Sequence, residues 1–138
     1  MGTPQFSRSI ITEWLNDGIR MRVVYDVTYI DSNGREWLLK AGFTTDGASI
    51  PHQLWSIVGA PYNGKYRVAA LFHDAAYADP GVPKPQADLM FRNLCIDLGC
   101  DHSLAEVLYT GVRLAGGSSY TNDQYDSALV LVKAQVKP

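Results

Sequence analysis

Cysteine is scarce in this chain, with Cys95 and Cys100 the two thiols in 138 residues. That excludes a disulfide scaffold and the two-by-two zinc pattern, and makes a reducing compartment the simpler expectation. Charge of one sign is scarce as well. Twelve Lys and Arg stand against fourteen Asp and Glu, a net charge of −2, so a nucleic-acid partner has no electrostatic support. No apolar run approaches the length of a membrane span, so no transmembrane segment is expected. The N-terminus lacks a basic stretch followed by an apolar one, so no signal peptide is expected either. Internal repeats and low-complexity segments are also missing.

What is present suits a packed core. Hydrophobic residues make up 46% and charged residues 19% of the chain, the balance of one globular domain over residues 1–138. The fold class is α+β: an N-terminal β-hairpin or small antiparallel sheet, then a helical half. Arg20 to Ile30 alternates, with Met21, Val23, Tyr25, Val27 and Tyr29 on one face, which predicts a strand. Asn33-Gly34 then signals a hairpin turn, and Arg35 to Phe43 reads as the return strand, with Trp37, Leu39 and Ala41 on one face. Thr44 to Pro51 is polar and small, a structured loop in which Ser49 can cap a short helix through Trp55 to Val58. Helices are predicted at Lys65 to Ala78, Pro85 to Leu98 and Ser103 to Ala115, with Ser103 as an N-cap and Gly99 as a C-terminal cap. The tail from Asn122 to Val136 reads as a last helix.

The chemistry concentrates in Ala69-Ala70-Leu71-Phe72-His73-Asp74-Ala75-Ala76-Tyr77, with Asp88 on the next helix. The Asp79-Pro80-Gly81-Val82-Pro83 link is short, so the two helices run antiparallel. His73 lies eight residues before Gly81 and Asp88 seven after it, which puts them level. His73 and Tyr77 share a face at i,i+4 spacing, while Asp74 is turned about 100° away, toward Asp46 or solvent. A carboxylate beside an imidazole fixes its tautomer and stabilises its charged form. The second ring nitrogen is then left to activate water. The expected catalytic residues are His73, Asp88 and Tyr77. The candidate metal ligands are Asp74 and Asp46, although Asp46 serves equally well in an Asx-turn that shapes its loop. His52 and His102 are expected at the surface or at helix ends.

This segment resembles the phospholipase A2 superfamily, whose helix carries Cys-Cys-x-x-His-Asp-x-x-Tyr and whose second helix supplies an Asp to the histidine. Alanines 69 and 70 stand where secreted members place cysteines, and Ala87-Asp88-Leu89-Met90-Phe91 looks like the Ala-Asp-x-x-Phe of viral capsid members. The resemblance implies His73 as general base, Asp88 as its partner, Tyr77 as a support for Asp88, and Asp74 as a ligand of a divalent cation, calcium in that family. It also implies a lipid or ester substrate. The family's Tyr-Gly-x-Gly-Cys calcium loop has no counterpart here.

A wider pattern covers more of the chain. Phe43-x-Thr45-Asp46-Gly47-Ala48-Ser49-Ile50-Pro51, Trp55, then Ala-Ala-Leu-Phe-His-Asp and Tyr77 resembles an uncharacterised family encoded by tailed phages and prophages. That resemblance implies synthesis in a host cytoplasm and a virion or tail component, with phage structural proteins as partners. The His-Asp pair then belongs either to an enzyme or to a structural or adaptor protein. Leu71-Phe72-His73-Asp74 also resembles the core of the metal phosphohydrolases named for that dipeptide, with His52 and Asp123 or Asp126 as the further ligands.

Overall fold

The Asn33-Gly34 pair turns the chain because Gly34 takes up a φ of 81°, a conformation that glycine adopts without steric cost. A computed structural model describes residues 4–46, 54, 64–79, 81–115 and 129–131. In it β4 (Val27–Ile30) and β5 (Glu36–Leu39) form the expected antiparallel hairpin, with Tyr29 opposite Trp37. Asp31 holds the turn. One carboxylate oxygen accepts from the backbone N–H groups of Asn33 and Arg35, and the other from the indole N–H of Trp37.

Among the described residues, strands β1 (Gln5–Phe6), β2 (Thr12–Trp14), β3 (Met21–Val23), β6 (Thr44–Thr45) and β7 (Leu129–Leu131) join β4 and β5 in two antiparallel sheets. Their orders are β1-β4-β5-β7 and β2-β3-β6. Three expectations are corrected here. Arg20 to Ile30 is not one strand: β3 and β4 belong to different sheets, and Tyr25 between them is exposed. The return strand stops at Leu39, because Phe43 N–H closes a turn onto the Lys40 carbonyl and Gly42 has a φ of 93°. In the tail, Leu129–Leu131 is a strand paired with β5 rather than part of a helix, as β-branched Val130 favours. The short helix expected at Trp55 to Val58 lies outside the described residues.

Among the described residues three helices follow: α1 (Gly64–Ala78), α2 (Lys84–Asp97) and α3 (His102–Ala115). Pro83 is the N-cap of α2, with Pro85 in its first turn, where the missing N–H costs nothing. Gly99 ends α2 with a φ of 94°. The cap of α3 is Asp101 rather than Ser103, since the Asp101 carboxylate accepts the Ser103 N–H at 2.8 Å. The core lies between the hairpin and the helices. Tyr29 meets Phe72 edge-on at 5.8 Å, and Phe6 stacks on Tyr29 at 5.0 Å. Helix α1 is thereby sandwiched, its alanines at 69, 70, 75 and 76 all buried.

Candidate functional site

Small residues on α1 let α2 approach closely, and Asp88 arrives at the level of His73. His73 Nε2 lies 2.8 Å from Asp88 Oδ1, and the Tyr77 hydroxyl donates to the same oxygen at 2.5 Å. His73 and Asp88 are both 0% exposed. A carboxylate can only accept, so Nε2 carries a proton, and Nδ1 lies on the side of the ring away from Asp88. The imidazole is held by its neighbours as well, 4.2 Å from the Tyr77 ring and 4.8 Å from Phe91 between centroids.

The second oxygen of Asp88 meets cations that the sequence reading missed. Lys84 Nζ donates to Oδ2 at 2.8 Å, and Arg113 Nη1 approaches it at 3.3 Å. Lys84 also donates to the Val112 and Arg113 carbonyls, joining the start of α2 to the last turn of α3, where cations suit the helix dipole. The Lys84–Asp88 pair is legible at i,i+4 spacing; Arg113, one helix further on, carries no such signal. Burial alone would raise the Asp88 carboxyl. The hydrogen bonds from His73, Lys84 and Tyr77 outweigh burial and hold it well below the usual carboxylate range. For His73 burial wins: it lowers the imidazole below its ordinary value, against the pull of Asp88 and with help from the Lys84 charge. Both shifts favour a neutral imidazole beside an ionised carboxylate.

Asp74 points elsewhere, as its 100° offset from His73 requires. It is buried and accepts a short hydrogen bond from the Thr45 hydroxyl of β6. Thr45 was missed, though its place two residues after buried Phe43 puts it on the same inward face. Asp46 is the next residue and is exposed. The donors Asp74, Thr45 and Asp46 are all oxygen, which suits a hard cation such as calcium in kind. They are fewer than its six to eight ligands, and no cluster of three or more His, Cys, Asp or Glu occurs among the described residues. His102 sits exposed at the start of α3. His52, Asp123 and Asp126 lie outside the described residues, and no described helix is long and apolar enough to cross a membrane.

Residues 21–112 match the family described as "Protein of unknown function (DUF1353)". That span contains His73, Asp74, Tyr77, Lys84 and Asp88. Among curated proteins, the chain is 45% identical over 49 residues to "Uncharacterized protein y4jT" of Sinorhizobium fredii (strain NBRC 101917 / NGR234). It is 34% identical over 92 residues to "Uncharacterized protein y4iH" of the same strain. The aligned regions are 36% and 66% of this chain. They span 15% and 38% of those relatives, well under two thirds of either. No solved structure matches.

Proposed function

Given that the chain belongs to the DUF1353 family, whose description assigns no reaction, we propose from the site itself that it is a hydrolase in which His73 activates water. The observation that supports this most is the convergence of His73 Nε2 and Tyr77 OH on one oxygen of a buried carboxylate. That convergence fixes the ring orientation and puts a proton on Nε2, which in this proposal leaves Nδ1 as the basic nitrogen. In the proposed reaction Nδ1 takes a proton from water as the water oxygen attacks an ester carbonyl carbon. Asp88 stabilises the imidazolium, which then returns the proton to the departing alkoxide, releasing acid and alcohol. A lipid or other ester is the proposed substrate, following the phospholipase A2-like arrangement of His73, Tyr77 and Asp88. His73 is sealed in this structure, so the reaction requires the site to open.

A divalent cation at Asp74, with Thr45 and Asp46 as further oxygen donors, belongs to the same proposal; when bound, such an ion polarises a carbonyl. The chain's own residues carry every proton step. A phage origin and a place in the virion are part of the proposal too, on the strength of the Phe43-to-Tyr77 pattern.

One observation favours a second reading. His73 and Asp88 are fully buried, and Lys84 and Arg113 already balance the carboxylate, as in a polar network that fixes helix packing. In that case the protein is a structural or adaptor component. The test uses chromogenic esters and phospholipid vesicles with calcium, zinc or manganese. For the hydrolase, His73→Gln is expected to lower turnover at least 100-fold while circular dichroism stays native. Wild type without turnover, together with a His73→Gln protein that melts early, would establish the scaffold instead. Calorimetric titration of the same ions into wild type and Asp74→Asn reads the cation separately. Binding abolished by the substitution supports the site, and no binding to wild type removes it.

A further inference from the structure

On the far side of α1 the chain carries a feature that the dyad does not use. Leu71 and His73 are two residues apart, about 200° around the helix, so Val68 and Leu71 face away from Asp88. There two adjoining clefts of about 340 and 610 Å³ share Ile10 and Val68 in their walls, within the size range of small-molecule sites. Ile10, Val68, Leu71 and Leu98 make the walls apolar. Two arginines line them, Arg67 in the smaller cleft and Arg8 in the larger, and among the described residues no carboxylate does.

The state of Arg67 is the informative part. Arg67 is partly buried, and the contacts of its guanidinium are with neutral atoms: Nη2 lies 3.5 Å from the Thr12 hydroxyl and 3.4 Å from the Met21 sulfur. Among the described residues it has no ion pair. The nearby carboxylate of Glu13 is engaged by Arg22 at 2.7 Å. Withdrawing a guanidinium from water without an anion is costly. A ligand that brought an anion would offset this, and would bury the aliphatic walls at the same time. This positive spot stands out in a chain whose net charge is −2.

We propose that this cleft binds a single-chain amphipathic anion, its carboxylate or phosphate head on Arg67 and its alkyl chain along Ile10, Val68 and Leu98. The planar fork of arginine suits either head group. The site is separate from the dyad, so it stands whether or not His73 is catalytic.

The experiment is calorimetric titration of the full chain with decanoate, decyl phosphate, decanol and inorganic phosphate, the amphiphiles kept below micelle formation. Saturable binding of decanoate or decyl phosphate is expected, and the tighter of the two identifies the head group. Arg67→Gln should weaken it at least tenfold, Ile10→Trp should block it by filling the cleft, and His73→Gln should leave it unchanged. Decanol binding as tightly as decanoate would reduce the site to an apolar crevice and overturn the proposal. Inorganic phosphate binding as tightly as decyl phosphate would overturn it too, as would no binding at all. If Arg67→Gln fails to fold, Ile10→Trp still decides the matter.

Discussion

Asp88 accepts from His73 and Tyr77 on one oxygen and from Lys84 and Arg113 on the other, all from a fully buried position. Asp88→Asn keeps the shape and removes the charge that these cations face. Breaking a buried ion pair from one side costs about 3–5 kcal/mol. Lys84 and Arg113 retain side-chain exposures of 19% and 37%, so the low end, about 3 kcal/mol, is expected from urea unfolding. Tyr77→Phe removes one donor to a charged acceptor and should cost about 2 kcal/mol. The pH dependence follows from the folded carboxyl lying below its ordinary range. In the unfolded chain Asp88 takes up its proton near pH 4, while the folded protein resists. The stability it lends is therefore complete above about pH 4 and is lost as the pH falls through the lower, folded value. Unfolding midpoints should drop more steeply below pH 4 in wild type than in Asp88→Asn. Parallel acid profiles would show that Asp88 is not the group responsible.

At the scale of elements, the turn at Gly34 and the contact at Gly111 test different kinds of information. Gly34 is left-handed, with φ 81°, so Gly34→Ala should cost about 1–2 kcal/mol. Gly111 lies mid-helix, where alanine ordinarily gains about 1 kcal/mol. A Cβ there would stand 2.5 Å from Leu54 Cδ1 and 3.2 Å from its Cγ, too close to keep. Gly111→Ala is therefore expected to destabilise wild type by about 1–3 kcal/mol through overpacking. The same change in a Leu54→Ala background should stabilise, and a double-mutant cycle in urea measures the difference. Gly34 was legible because a hairpin turn is local chemistry. So were Pro85, Gly99 and the level approach of His73 and Asp88 across a short link. Gly111 was not, since Leu54 comes from a distant part of the chain. Strands β1, β2 and β6 span two or three residues, too few for an alternating pattern to show. The alternation from Met21 to Tyr29 runs unbroken through a point where the chain changes sheets. Lys84 could have been found on its helix, but Arg113 and Thr45 join the site only through tertiary packing.

For the molecule as a whole, the family match over residues 21–112 leaves out elements on which both sheets depend. Strand β1 pairs with β4, β7 pairs with β5, and β2 pairs with β3. Phe6 covers Tyr29 and reaches Phe72 at 6.4 Å. Removing residues 1–20 and 113–138 would bare both edges of the β4–β5 hairpin, and two strands alone are marginal in water. Unpaired edges also template association. A 21–112 fragment is therefore expected to keep helical circular dichroism but to lose cooperative thermal unfolding and to aggregate. Adding back residues 1–20 should restore β1, β2 and the Phe6 contact, and with them part of the cooperativity. A 21–112 fragment that unfolded as sharply as the full chain would make the flanking strands accessory. The amphiphile cleft would then separate from the dyad physically as well. Its Ile10 and Thr12 wall would be gone while His73 and Asp88 still met.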